Sequence, residues 1–200
     1  MAGKQKHKYQ WSESRRRYLQ NGRAVPEKFV QKRFQAAIDS SKDKVAKLTQ
    51  RLVDGKINVS AWNATMRDEI RAAHRAAAML ANGGRLTPQA AGRLGAALKK
   101  QYQFLDAFTR DIEQGKITLG PRTVARARLY AQAAMTTYQK AVLERERAAG
   151  AALYRLVLSP AEHCAECLAD AEKGFVPVGS LPEIGDRECL INCKCRWEFK

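Results

Sequence analysis

The chain has 200 residues, 45% hydrophobic and 28% charged, with 36 Lys and Arg against 20 Asp and Glu for a formal net charge of +16. That length can bury a real core, no apolar run approaches the roughly 18 residues needed to span a bilayer, and the basic start lacks the apolar segment of a secretory signal. A membrane protein is excluded on this reading, and synthesis in a reducing cytoplasm is expected, where clustered cysteines serve as metal ligands or reactive thiols rather than as disulfides.

Residues 1–24 hold seven Lys and Arg against Glu13, a net of +6. Lys4, Lys6, Lys8 and Arg15 to Arg17 alternate with Tyr9, Trp11 and Tyr18. A basic flexible arm is expected here, able to dock on a protein neighbour or to hold phosphates and stack on bases.

Residues 25–150 read as an α-helical body. Pro26 suits a first turn, and Val30, Phe34, Ile38, Val45, Leu48 and Leu52 recur at helical spacing before the stop at Asp54-Gly55. A second helix over 60–81 begins at Asn58 or Ser60 and carries Trp62, Met66, Ile70, Ala73, Ala77 and Leu80. Asn82-Gly83-Gly84 ends it. Thr87 as cap and Pro88 in the first turn open a third helix with Leu94, Leu98, Tyr102, Leu105, Phe108 and Ile112 inward, closed by Gly115. The fourth follows Gly120-Pro121 and runs to about Ala149, burying Val124, Ala127, Ala131, Met135, Tyr138 and Val142. His74 falls beside the apolar stripe and is expected to pack between helices. Residues 25–54 contribute a net +3 and residues 55–150 a net +9, an excess that suits a polyanionic partner.

After Gly150 the pattern changes. Residues 151–158 look like a strand, and residues 195–200 alternate like a returning one. All five cysteines lie between them: Cys164 and Cys167 as C-x2-C, then Cys189, Cys193 and Cys195 as C-x3-C-x-C. A C-x2-C hook aims two thiolates at one point, and a second hook completes a tetrahedral site. Zinc suits such closed thiolate coordination. A module of 50 residues with few large apolar side chains needs a metal clip to fold. The second pair of ligands comes from Cys189, Cys193 and Cys195, leaving one spare. His163 could replace a cysteine, but it adjoins Cys164 and is expected to point away. Glu162, Glu166 and Glu188 are acid–base candidates, yet the H-x-E pattern of a zinc deaminase is missing, and no enzyme is expected. Residues 151–200 are net −2, which argues against a DNA-reading finger. The expected fold is mainly α: a four-helix body with a small C-terminal zinc-knuckle β module.

Several of these segments resemble the minor head, or head morphogenesis, proteins of tailed bacteriophages related to the Mu F-like group. The resemblance rests on Lys56-Ile57 with Trp62 and Met66-Arg67, Leu80 to Gly84, Gln101-Tyr102 through Leu105 and Phe108, and Ala125 to Ala127 with Tyr130-Ala131. It rests most on the closing motif: Cys164-x2-Cys167, Gly179-Ser180-Leu181-Pro182, Gly185, and Cys189-x3-Cys193-Lys194-Cys195 with Asn192. Where the group often has Pro-x-His before Asn-Cys, this chain has Cys189. The resemblance implies a non-enzymatic virion component made in the host cytoplasm. It would act in head assembly beside the portal or the major capsid protein, in several copies of a symmetric assembly, with its basic surface on packaged DNA or on an acidic protein. The alternative is a nucleic-acid-binding zinc protein, either a packaging factor or a regulator.

Overall fold

A computed structural model describes residues 9–200. Four long helices make the body: α1 (Glu27–Val53), α2 (Val59–Ala81), α3 (Pro88–Glu113) and α4 (Pro121–Ala148). Local chemistry sets their ends. The Asn58 side chain accepts from the Ala61 N–H at 2.8 Å, and Thr87 Oγ1 accepts from the Ala90 N–H at 3.1 Å, each satisfying a donor that the first turn leaves free. Pro88 and Pro121 occupy first-turn positions that need no N–H.

α4 is the central helix, packed against both α1 and α2, which also meet each other, with α3 against α2. The interior divides into two clusters along it. Trp62, Met66 and Ile70 of α2 meet Leu105, Phe108 and Ile112 of α3, Val45 and Leu52 of α1, and Ala127, Tyr130 and Ala131 of α4. Nearer the C-terminal end of α4, Val30, Phe34 and Ile38 of α1 meet Ala77, Leu80 and Ala81 of α2 and Ala134, Tyr138 and Val142 of α4. The alanines let the α2 and α4 backbones approach closely. None of the helices among the described residues is long and apolar enough to cross a membrane.

The expectation of an arm over residues 1–24 is corrected for its second half; residues 1–8 lie outside the described residues. Strands β1 (Gln10–Ser12), β2 (Arg17–Gln20) and β3 (Arg23–Val25) form an antiparallel meander, with Trp11 opposite Tyr18 and Tyr18 opposite Val25. Tyr9 and Tyr18 are buried in the α1–α2–α4 cluster. Arg145 of α4 lies under the meander, donating to Tyr18 Oη at 2.9 Å and to the Ala81 carbonyl at 2.7 Å, with its guanidinium 3.5 Å from the Trp11 ring centre. Arg16 reaches buried Glu146 at 2.5 Å. Gly83, at φ +63°, has the Trp11 backbone so close that a Cβ there would lie 2.3 Å from the Trp11 nitrogen. The aromatics between the basic residues therefore face the protein's own core.

The C-terminal module contains β4 (Leu153–Val157), β5 (Val176–Pro177) and β6 (Arg196–Phe199) in the order β5-β4-β6, all antiparallel. It also contains a helix not expected from the sequence, α5 (Ala165–Glu172), and a single 3-10 turn over Leu190–Asn192. Its core is Leu143 from α4, Tyr154, Leu156, Leu181, Ile184 and Trp197, together with three of the cysteines.

Candidate metal centre

Each cysteine sits at the edge of a short element. Cys164 precedes α5, and Cys167 lies in its first turn. Cys189 and Cys193 flank the 3-10 turn, and Cys195 immediately precedes β6. The turn between Cys189 and Cys193 is tight: the Asn192 N–H donates to the Cys189 carbonyl at 2.9 Å, and the Cys193 N–H donates to the Leu190 carbonyl at 3.2 Å. Leu190 takes φ +46° with its side chain exposed, a left-handed conformation that costs a residue with a Cβ roughly 1–2 kcal/mol. That turn directs both flanking thiols inward.

The structure brings all five predicted thiols together. Cys167 Sγ lies 3.6 Å from Cys189 Sγ and 3.9 Å from Cys193 Sγ. Cys164, Cys167 and Cys189 form one group whose sulfurs all lie within 4.8 Å of one another, and Cys167, Cys193 and Cys195 form a second. All five are free thiols, with Cys167, Cys193 and Cys195 buried and the other two partly exposed. Two sulfurs bound tetrahedrally to one zinc-sized ion at 2.3 Å stand ~3.8 Å apart, so the observed separations suit a shared cation. The cluster could hold a metal ion.

The expectation that His163 points away is corrected. Its Nδ1 faces Cys195 Sγ at 3.5 Å, while Nε2 lies 2.7 Å from the Ser159 carbonyl. A carbonyl only accepts, so the proton sits on Nε2 and the Nδ1 lone pair is turned toward the thiols. Metal-binding histidines are held in this way, one ring nitrogen anchored to an acceptor and the other free to coordinate. The imidazole nitrogen thus stands beside Cys195, outside the two groups that the five sulfurs form.

Thiols in mutual contact cannot all ionise unaided. The hydrogen bond from the Cys195 thiol lowers the Cys193 pKa to about 5, against the opposing effect of burial. Burial, reinforced by the Cys164 thiol, raises Cys167 to about 11. Cys189 is raised chiefly by burial, and Cys195 chiefly by its bond to Cys193. Burial also acts to raise Cys164, but the N–H groups and thiols of Cys167 and Cys189 outweigh it and lower its pKa. A bound cation would reverse this pattern by displacing the protons.

Behind the thiols lies a buried ion pair that the sequence did not reveal. The Arg187 side chain is fully buried and donates from Nε to Asp170 Oδ2 at 2.8 Å. Its guanidinium carbon lies 5.6 Å from the Trp197 ring centre. Asp170 follows Cys167 by three residues on α5, and Arg187 precedes Cys189 by two, so the pair joins the two cysteine hooks. Burial raises the Asp170 pKa, but Lys173 at 2.7 Å and Arg187 outweigh it and hold the carboxyl below its usual range. Among the acid–base candidates, Glu166 accepts from the Glu188 N–H at 2.5 Å, a second tie between the hooks. Glu162 and Glu188 are exposed.

No family model, curated protein or solved structure matches this chain.

The module docks on α4. Lys140 bonds both carboxylate oxygens of Asp186 at 2.8 and 2.9 Å and pairs with Glu183 at 3.2 Å. Gly185 has φ +98°, and a Cβ there would lie 2.4 Å from Thr136 Cγ2. His74 lies elsewhere, buried between α2 and α4 with Nδ1 at 2.7 Å from Thr137 Oγ1, and burial lowers its pKa to about 4.

Proposed function

We propose that the chain is a structural protein of a tailed-phage head, a minor head protein whose C-terminal module is clipped by zinc and docked on a helical body. The observation that carries this reading is the thiol cluster. Every cysteine of the closing motif, together with His163, converges where α5, the 3-10 turn and β6 meet. Zinc is the ion of choice because it takes sulfur and imidazole ligands in a closed tetrahedron and does no redox chemistry. It would supply the folding energy that a core of nine buried side chains, three of them cysteines, otherwise lacks. No catalytic step belongs to this role. Mass spectrometry of purified phage particles tests it: the chain is expected in the head fraction, cross-linked to portal or major capsid protein. Its absence from particles that assemble normally would refute the virion assignment.

A second reading, nucleic-acid contact, is favoured by α1 and α4. Lys28, Lys32, Arg33, Lys44, Lys47 and Arg51 are exposed along α1 and have no ion-pair partner among the described residues. Beside them a cleft of about 560 Å³ is lined by Lys42, Arg128 and Lys194, with Gln132 at its floor. Gln132 is buried, and neither polar atom of its side chain has a partner among the described residues. Filter binding of the whole protein to DNA over a salt series distinguishes the readings. A nucleic-acid contact predicts a log affinity that falls linearly with log salt, with a smaller slope for the K44Q/K47Q/R51Q variant. Salt-independent or undetectable binding leaves the cations to a protein partner.

A further inference from the structure

We propose that the cysteine module holds two metal ions, with Cys167 as the thiolate shared between them; the proposal rests on the metal-clip reading above. A single tetrahedral ion requires four donors spaced around one point, with sulfur–sulfur edges of ~3.8 Å. Here the sulfurs form two triangles, Cys164–Cys167–Cys189 and Cys167–Cys193–Cys195, and Cys167 is the corner common to both. Cys189 on one side and Cys193 on the other stand at 3.6 and 3.9 Å from it. Each separation suits one shared ion, but the two belong to different triangles. One ion placed in either triangle leaves two thiols outside its group.

Charge points the same way. Five sulfurs exceed the four places of one tetrahedral ion, and two divalent cations offset all but one of five thiolate charges. The carboxylate in the surrounding shell, Asp170, is already committed to Arg187 and Lys173.

The two positions differ in kind. Cys167, Cys193 and Cys195 are all buried, and His163 Nδ1 closes on Cys195 with its other nitrogen anchored on Ser159. Three buried thiols, with the His163 ring beside one of them, shield this position from water as around a structural ion. The second position has Cys164 and Cys189, both partly exposed, and the shared Cys167. Three thiolates leave its fourth place open to solvent or to a donor from a neighbouring protein. The inner ion is therefore retained until the module unfolds, whereas the outer ion exchanges with chelators.

Elemental analysis of the whole, tag-free protein loaded with zinc and desalted tests this. Two zinc ions per chain are expected, one of which is removed by brief EDTA treatment with unchanged helical circular dichroism. The Cys164→Ser variant is expected to hold one. Loading with cadmium-113 should give two resonances, split by coupling through the shared Cys167 sulfur, and this measurement decides the matter if Cys164→Ser fails to fold. One zinc per wild-type chain, or a single cadmium resonance, overturns the two-ion proposal and leaves the single clip standing. Two ions retained by Cys164→Ser overturn the assignment of the outer site. No bound metal overturns both the proposal and the clip.

Discussion

Replacing Arg187 with Met should loosen the knuckle without removing any candidate ligand. The Arg187–Asp170 bond is 2.8 Å long and its arginine side chain is wholly buried. At an effective dielectric near 20 the gross attraction at that distance is ~6 kcal/mol. Desolvating both ions costs several kcal/mol each, so the intact pair contributes little net stability. Breaking it is another matter. Removing one member of a buried pair typically costs 3–5 kcal/mol, because the other charge stays buried without its partner. Asp170 would keep Lys173 at 2.7 Å, which places Arg187→Met at the low end, about 3 kcal/mol. The Asp170→Leu variant should cost a similar amount through orphaned Arg187. The double variant buries two apolar side chains instead and should lie within about 1 kcal/mol of wild type. The rate at which the five thiols react with a disulfide reagent reports opening of the module. Each single variant should react roughly a hundredfold faster, from 1.36 kcal/mol per decade, and the double variant close to wild type. Single variants within threefold of wild type, or additive effects in the double, would show that the pair does not join the hooks.

His74 gives the helical body a pH dependence of known sign. Its folded pKa of about 4 lies below the ordinary 6.5, so the fold favours the neutral ring. Its contribution is complete above about pH 6.5, falls as pH drops from 6.5 to 4, and totals about 3 kcal/mol; His74→Leu should flatten that segment of a urea-stability profile. Gly185→Ala should lower the thermal midpoint by the equivalent of about 2–4 kcal/mol, combining a disfavoured positive φ with overpacking against Thr136; Thr136→Ala should recover only the second part. Stripping metal with a strong chelator should abolish hydrogen-exchange protection over residues 153–199 and spare α1 to α4, whose clusters contain no cysteine. Loss of protection throughout would mean that the body depends on the clip.

The four helices were legible because strong local signals agree with the packing period. Thr87-Pro88 and Asn58 start helices, Asn82-Gly83-Gly84 stops one, and the expected inward residues of α2 are buried or nearly so from Trp62 to Leu80. The meander was not legible because three strands of three or four residues carry too few alternations to outweigh Arg15, Arg16 and Arg17. Trp11 and Tyr18 in fact cover Arg145, a residue of another element 127 positions away from Tyr18. All five thiols were legible from spacing alone. His163 was misread because adjacency to Cys164 says nothing about a ring whose direction is set by the Ser159 carbonyl. Nothing in the sequence singles out Arg187 or Asp170, and only the fold brings them together. Helix α5, at eight residues, is too short for a periodic signal and owes its existence to the tertiary contacts of Cys167 and Asp170.

The two ends of the described chain meet on the C-terminal half of α4, which would give a metal clip a reach beyond its own module. From the N-terminal side, Tyr18 bonds Arg145 and Arg16 bonds Glu146. From the C-terminal side, Gly185 and Asp186 seat on Thr136 and Lys140 of the same helix. Phe199 packs against both the meander's cluster and the cysteine cluster. β6 follows Cys195 directly and pairs with β4 from Tyr154 to Val157, so whatever fixes Cys195 also fixes Phe199. A metal ion bound at Cys195 would therefore bear on residues 9–25 through one strand and one aromatic ring, and losing it should expose Tyr18 before it unwinds any long helix. An order of events in which α1 or α2 melts first would place the coupling elsewhere.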